Sequence, residues 1–335
     1  MNTGNETGNE TGNEMGDESG KETSSAADKS ANDNAKTCAR NNADIGAGKV
    51  TLVSAGPGDL DLLTLRAAKV LASADVVLLD DLVNPEIVTL APQARVIRVG
   101  KRGGCRSTPQ AFIERLMQRY ARRGLHVVRV KGGDALLFGR AGEELAALRR
   151  AGVTIEIVNG ISSAFAAAAG LGMSLTHRDH CQGVTFVTAH LRDHSEPDWR
   201  ALAATGMTLA IYMGMSRIDT LCATLAEALS RTTPAAVVQW AGSANERRVT
   251  GTLGTIAMLA RAAELGSPAI ILVGDAVGEA AAFGTTPRLP NLNDSHSPLN
   301  VPHALIDTDI DTNIDIDTDS HTDSDIDLAP IRRRA

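Results

Sequence analysis

Two glycine-rich bends are the parts of this sequence best suited to chemistry. The first, GPGD at 56–59, ends the apolar run KVTLVSA, and the second, GGD at 132–134, ends the run HVVRVK. Because glycine has no side chain, such a bend lets a ligand approach bare backbone at the carboxyl end of a strand. Neither bend matches the GxGxxG fingerprint of dinucleotide sites or the GxxxxGK[ST] pattern of triphosphate sites. We therefore expect a small, polar, partly cationic ligand, with Asp59 and Asp134 accepting hydrogen bonds from it.

Charged residues follow two further strand-like runs. Asp80 and Asp81 end the run ADVVLL, where aspartate either caps a turn or serves as a carboxylate that accepts a proton. The loop GKRGGCR supplies Lys101, Arg102 and Arg106. Such a basic loop is either solvated or, beside a cleft, a binding site for carboxylates.

The segment THRDH at 176–180 contains two histidines and one aspartate. A metal site needs a third ligand at matching spacing, and His190 and His194 form no recognisable pattern with the segment. We therefore predict no metal here and interpret the connector, 173–183, as a hydrogen-bonding segment between two domains, near which a ligand would lie. Downstream, Met213 ends a strand-like run, where methionine either fills a core or packs against a flat ligand.

The elements that must position these residues alternate between strand and helix patterns. A helix is expected to open near Asp61, with Leu62, Leu65, Val70 and Leu71 on one face. Alternation of this kind indicates a largely parallel sheet covered by helices on both faces. The fold class predicted is α/β, with two α/β domains and a cleft between them. The predicted division is a disordered tail at 1–47, an N-terminal domain at 48–175, a C-terminal domain at 176–284 and an acidic disordered tail at 285–335.

Charge and composition exclude several classes of protein. Of the 33 basic and 40 acidic residues, the first 48 residues carry a net charge of −5 and residues 285–335 carry −6, which leaves +4 for the part between them. This mild excess can attract a polyanion, but it lacks the dense basic clusters of a nucleic-acid binder. The four cysteines, at 38, 105, 181 and 222, are scattered as expected for free thiols. Without a signal sequence or an apolar run of about 18 residues, a cytoplasmic protein that does not span a membrane is expected.

Several motifs, taken in order, resemble those of the tetrapyrrole methylase family. They are VSAGPGDLDLLTLRA, ADVVLLDDLV, GKRGG, VVRVKGGDALLFGRAGEE, GISSA, LTHR and YMG, and they cover residues 49–278. The resemblance implies a two-domain homodimer that uses S-adenosyl-L-methionine to methylate uroporphyrinogen III at C2 and C7. Methylation of another corrin intermediate, RNA methylation on the same fold and a non-catalytic cofactor-binding module are the alternatives.

The resemblance also implies roles for individual residues. Asp80 would be the proton acceptor and Lys101 the proton donor, with Arg102 beside them offering positive charge to the substrate carboxylates. The cofactor would contact Pro57, Gly132, Gly133, Asp134, Leu137, Ser162, Ser163, Met213 and Ala241. Ser54, Asn159 and Ala241 depart from the family pattern, which has Gly, Pro and Gly at these positions.

Overall fold

The computed structural model describes residues 48–100, 108–190 and 195–282. In this part of the chain, ten strands form two five-stranded sheets, and eight α-helices connect or cover them. None of the helices described combines the length and apolar character needed to cross a lipid bilayer. The two predicted tails, 1–47 and 285–335, lie outside the described residues.

The first sheet is entirely parallel, with strand order β3-β2-β4-β1-β5. Its strands are β1 (Lys49–Ser54), β2 (Val76–Leu79), β3 (Arg95–Arg98), β4 (His126–Lys131) and β5 (Thr154–Val158). The helices of this half are α1 (Leu65–Ala72), α2 (Gln110–Ala121) and α3 (Ala141–Arg150). The predicted alternation of strands and helices is confirmed here.

Alternate residues of the first sheet pack on opposite faces. Val53 and Val77 join the buried residues of α1 on one face, while Val50 and Val76 join those of α2 on the other. Burial of this kind stabilises the fold by about 25 cal/mol for each Å² of apolar surface removed from water. Helices therefore cover both faces, and the strand ends are the part of the sheet left for a ligand.

The second sheet is mixed, with strand order β6-β7-β10-β8-β9. Its strands are β6 (Val184–Thr188), β7 (Thr208–Tyr212), β8 (Pro234–Gln239), β9 (Arg247–Thr252) and β10 (Ala269–Val273). Only β6 and β7 pair in parallel, and every other neighbouring pair is antiparallel. Its helices are α5 (Trp199–Ala204), α6 (Ile218–Leu225), α7 (Ile256–Ala262) and α8 (Gly278–Ala282). Strand β9 pairs antiparallel with β8 at the edge of this sheet.

Helix α4 (Ser163–Leu171) follows the last strand of the first sheet but packs on the second. Its buried residues include Ala164, Ala167 and Leu171, which lie in one core with Ala236 of β8 and Leu272 of β10. The predicted N-terminal domain, 48–175, includes this helix because the helix directly follows β5 in the chain. Packing places it instead in the lobe built around the second sheet.

The helix expected to open near Asp61 begins later than predicted. A 3₁₀ turn at Leu60–Leu62 comes first, capped by the Asp59 side chain, and the α-helix begins at Leu65. Its N-cap is Thr64, whose hydroxyl accepts a hydrogen bond from the Ala67 amide. Leu65 is 82% exposed whereas Leu71 is fully buried, so the prediction that these two residues share one face of the helix is wrong. The intervening 3₁₀ turn changes the helical phase between Leu62 and the α-helix.

Candidate active site

The two glycine bends are hydrogen-bonded to each other. Strands β1 and β4 pair in register up to Ser54 and Lys131, so both bends begin at the same edge of the sheet. Beyond them the Gly56 amide donates to the Gly133 carbonyl at 3.1 Å, and the Gly133 amide donates to the Gly56 carbonyl at 2.7 Å. Gly56 has φ +71° and Gly133 has φ +65°, which side-chain-bearing residues rarely adopt. The bends therefore form one continuous edge of bare backbone.

The first bend also contacts the second lobe. The Asp59 amide donates to the carbonyl of Gly242, which lies in the loop after β8, at 2.9 Å. A Cβ atom added to Gly242 would lie only 2.7 Å from Pro57 Cγ. Because this packing joins the two lobes, the bend lines the junction between them.

The aspartates that close the bends are engaged by the protein itself. The Asp59 carboxylate accepts a hydrogen bond from the Asp61 amide at 3.0 Å. The Asp134 carboxylate accepts from the Leu136 amide at 2.8 Å and from the Gly160 amide at 3.1 Å. Both side chains thus stabilise turns, as aspartate commonly does. These contacts supply a structural role beside the ligand-binding one expected from the sequence.

Two residues that depart from the family pattern also support the second bend. The Ser54 hydroxyl accepts a hydrogen bond from the Ala135 amide at 2.9 Å. The Asn159 side-chain amide donates to Asp134 Oδ2 at 3.5 Å, next to the stronger bond from Gly160. Each polar side chain finds a partner within the bend, so both substitutions are accommodated without an unsatisfied group.

Tyr212 joins three segments around the bends. Its hydroxyl lies 2.6 Å from Ser162 Oγ and accepts a hydrogen bond from the Ala164 amide at 3.1 Å. Its ring packs against Phe138, with centroids 5.0 Å apart. Burial raises the pKa of Tyr212, so the hydroxyl stays protonated at neutral pH. The sequence pattern does not single out Tyr212, because nothing local predicts its contact with the start of α4.

Three exposed apolar residues adopt left-handed backbone in the loops after β4, β7 and β8. Phe138 has φ +53°, Met213 has φ +57° and Trp240 has φ +51°. Their side chains are 38%, 48% and 38% exposed. Non-glycine residues in this conformation are strained and concentrate at functional sites. The arrangement presents apolar surface suited to a flat group beside the glycine bends.

Asp80 lies at the same sheet edge, held by buried charges. Its Oδ2 accepts a hydrogen bond from Arg129 at 2.8 Å, and Lys131 Nζ is 4.0 Å away. Arg129 and Lys131 also contact Glu144 Oε1, at 3.3 and 3.2 Å, and Gln110 donates to the same oxygen at 3.1 Å. Asp80 is 34% exposed, whereas Arg129 is 2% and Glu144 is 0% exposed. The network therefore leaves only the Asp80 carboxylate open to a ligand.

The sequence did not identify Arg129, Lys131 or Glu144 as part of the site. One sequence feature could have indicated this network. Arg129 and Lys131 are cationic residues in the largely apolar strand β4, and buried cations require buried partners. Burial, and after it the charge of Arg129, lowers the pKa of Lys131, while the carboxylates of Glu144 and Asp80 oppose this shift.

The remaining predicted site residues are distributed as follows. Ser163 Oγ lies 3.4 Å from the position that a Cβ of Gly133 would occupy, and Gly132 packs against the Leu82 backbone. The Leu137 amide donates to the Asp134 carbonyl at 3.1 Å. Ala241 is 5% exposed and packs in the core of the second lobe. Lys101, Arg102 and Arg106 lie outside the described residues.

Residues 49–257 match the family model of Tetrapyrrole (Corrin/Porphyrin) Methylases. A uroporphyrinogen-III C-methyltransferase of Pseudomonas aeruginosa is 52% identical over 230 residues, which are 68% of this chain and 94% of that protein. A siroheme synthase of Aeromonas salmonicida is 45% identical over 240 residues, 71% of this chain and 50% of that protein. The chain thus spans about half the length of that synthase.

Solved structures show the same fold. Uroporphyrin-III C-methyl transferase of Thermus thermophilus, in complex with S-adenyl homocysteine, aligns with a TM-score of 0.61 and 38% identity, covering 69% of this chain and all of that one. A cobalt precorrin-4 methyltransferase aligns with a TM-score of 0.62 and 33% identity, covering 68% of this chain and 95% of that one.

The chain belongs to the tetrapyrrole methylase family. The α/β fold class and the family predicted from the sequence are confirmed, and with them the assignment of the chain as a methyltransferase.

Proposed function

We propose that this protein methylates uroporphyrinogen III at C2 and C7 with S-adenosyl-L-methionine and so forms precorrin-2. The observation that carries the proposal is the shared edge formed by the two glycine bends and Asp80. It combines bare backbone, exposed apolar side chains and one accessible carboxylate at the junction of the lobes. The 52% identical Pseudomonas aeruginosa protein bears the name of this activity.

The described residues fit S-adenosyl-L-methionine. The backbone at Gly56 and Gly133 carries no Cβ that would hinder a ligand. Phe138, which packs against Tyr212, and Met213, which follows Tyr212 in the chain, present exposed apolar surface. The Thermus thermophilus relative was solved with S-adenyl homocysteine, the demethylated product of this cofactor. In the proposal the cofactor is held by Pro57, Gly132, Gly133, Asp134, Leu137, Ser162, Ser163, Met213 and Ala241, and when bound it supplies an electrophilic methyl group.

The protein's own part is to align the reactants, exclude water and accept a proton. Carbon methylation of a pyrrole ring leaves a proton to be removed, which a positioned carboxylate can take. Asp80 is suited to this because Arg129 fixes its orientation while a third of its side chain stays exposed. The proposal also assigns Lys101 as the proton donor and Arg102 as a cation that binds substrate carboxylates. Both residues lie outside the described part of the chain.

A second candidate is methylation of another corrin intermediate, which the 33% identical cobalt precorrin-4 methyltransferase structure supports. Both reactions would use the same cofactor site at the glycine bends. The two candidates therefore differ in which tetrapyrrole macrocycle the protein accepts as substrate. RNA methylation is a third candidate, but the folded part carries only a small basic excess.

The experiment incubates the purified full-length protein with isotopically labelled S-adenosyl-L-methionine and uroporphyrinogen III, cobalt-precorrin-4 or RNA in parallel. We expect label in the uroporphyrinogen product only, with the mass gain of two methyl groups. Label in cobalt-precorrin-4 alone would favour the second candidate. Cofactor binding without transfer to any acceptor would refute the catalytic proposal.

The proposal further includes that the protein is a homodimer located in the cytoplasm. It also includes that the protein binds neither nucleic acid nor membrane. Sedimentation of the purified protein checks the dimer directly.

A further inference from the structure

Two imidazoles and a carboxylate meet on the surface of the second lobe, outside the candidate active site. His177 and His180 belong to the connector, and Glu279 belongs to α8. Each offers one ligand atom, and these atoms lie within 4.8 Å of one another. His180 Nε2 is 3.0 Å from Glu279 Oε1, and the two imidazole rings have centroids 4.5 Å apart. Their side chains are 35%, 34% and 39% exposed, so an ion can reach them.

The backbone holds both imidazoles in place. The His177 amide donates to the Cys181 carbonyl at 3.1 Å, and the Cys181 amide donates back to the His177 carbonyl at 2.8 Å. The His180 amide closes the turn by donating to the His177 carbonyl at 3.2 Å. Cys181 is buried, with its thiol 3.2 Å from Thr208 Oγ1. The turn is therefore anchored to the second sheet before any ligand binds.

Glu279 is anchored from the other side. It is the second residue of α8 and lies between Val277 and Ala280, two buried residues in the same core as Cys181. The carboxylate thus extends from a fixed backbone toward a fixed turn. Little conformational entropy remains to be lost when a ligand joins them.

The cluster lies at the opposite end of β7 from the candidate active site. The connector meets this strand at Thr208, whose amide donates to the Gly183 carbonyl, while Tyr212 at the other end contacts Ser162. Tyr212 lies four residue steps along the strand from Thr208, which is about 13 Å at roughly 3.3 Å per residue. The cluster therefore lies apart from the Tyr212 end of β7, and the role proposed for it is structural rather than catalytic.

We propose that His177, His180 and Glu279 bind a zinc-class divalent ion that clamps the connector to α8. Two imidazole nitrogens and one carboxylate oxygen suit Zn²⁺ and neighbouring first-row ions, with water in a fourth position. Calcium and magnesium prefer all-oxygen sites, so they match this set poorly. Tetrahedral bonds of about 2.0–2.2 Å place ligand atoms about 3.3–3.6 Å apart. The His180–Glu279 pair, at 3.0 Å, would therefore open slightly, and any pair near the 4.8 Å limit would close by about 1.4 Å at the bond lengths given above.

This proposal departs from the sequence-based expectation of no metal. The sequence places two histidines in the connector but no third ligand nearby, and His190 and His194 form no recognisable metal-binding pattern with them. The fold supplies the third ligand from Glu279, 99 residues after His180. Nothing in the spacing of these residues predicts their contact.

The experiment titrates chelator-treated full-length protein with Zn²⁺ alone, using calorimetry and the zinc content after dialysis. His180→Gln and Glu279→Gln are compared with wild type and with the control His190→Asn, which alters an imidazole outside the cluster. We expect wild type and control to bind one zinc equivalent more than either cluster variant, or to bind that equivalent more than about a hundredfold more tightly. Loss of a ligand exceeds the tenfold to hundredfold effect of outer-shell changes.

A thermal melt separates binding at the cluster from binding elsewhere in the chain. Zn²⁺ should raise the unfolding midpoint of wild type and control but not of the two cluster variants, because an ion that binds only the folded site stabilises it. Matching melts of all four proteins in chelator would show that the variants fold. Equal zinc content and equal zinc-induced shifts in all four proteins, or no zinc bound by wild type, would overturn the proposal.

Discussion

Replacing Glu144 by Gln should destabilise the fold far more than the same change at Glu143. Glu144 is fully buried and neutralises Arg129 and Lys131, which are themselves buried. Without its charge, the partly exposed Asp80 is the carboxylate that still contacts the two cations among the described residues. Removal of one partner from a buried ion pair typically costs about 3–5 kcal/mol. Because glutamine keeps the volume and one acceptor oxygen, we expect about 3 kcal/mol for Glu144→Gln.

The neighbouring Glu143 provides a matched control on the same helix. It pairs with Arg140 on the surface, where the two side chains are 48% and 56% exposed. Exposed pairs of this kind contribute about 0–1 kcal/mol. Equilibrium unfolding in urea measures the stability of both variants. The unfolding free energy falls by about 1–3 kcal/mol per M urea, so a loss of about 3 kcal/mol lowers the urea midpoint of Glu144→Gln by at least about 1 M relative to wild type. Equal midpoints for the two variants would refute the assignment of Glu144 as the buried counter-charge.

Three further predictions concern single side chains. Asp80→Asn should lower methyl transfer about 10²- to 10⁴-fold, as loss of a general base does, with cofactor affinity unchanged; unaltered turnover in the transfer assay would remove Asp80 from the mechanism. Tyr212→Phe should cost about 1–3 kcal/mol of unfolding free energy, because the Ala164 amide loses its acceptor; an unfolding midpoint equal to that of wild type would contradict this. Burial, with a smaller contribution from Asp219, raises the pKa of Cys222 from 9.0 to about 11, so at pH 8 about a hundredfold less thiolate forms than in the unfolded chain. Thiol labelling mapped by mass spectrometry should therefore reach Cys222 mainly after denaturation, and equal labelling rates in native and denatured protein would disprove it.

The meeting of the two glycine bends could be predicted from the sequence. Each bend ends an apolar run, and parallel strands place their carboxyl ends at one edge. The same rule brings Asp80 to that edge, because β2 pairs with β4 up to Leu79 and Val130. The apolar runs and the rule that parallel strands end at one edge are therefore sufficient to predict that the bends and Asp80 lie together.

The charges behind Asp80 could not be predicted in the same way. Glu143 and Glu144 are adjacent and identical, and only the rotation of α3 on the sheet decides which of them is buried. That rotation is set by side-chain packing, which the sequence does not display. Helix α4 is a similar case, because SAFAAAAGL is apolar around most of its circumference and does not indicate which sheet it covers.

The packing of α4 has a practical consequence for dividing the protein into fragments. A fragment that stops at residue 175 would keep α4 but lose the sheet that covers it, leaving the helix's buried residues, including Ala164, Ala167 and Leu171, open to solvent and prone to self-association. A cut near residue 160 would respect both cores, yet it falls where Gly160 fits tightly against Ser54. Expressing the halves separately is therefore unfavourable at either position, and complementation between fragments is best attempted at a surface loop within one lobe.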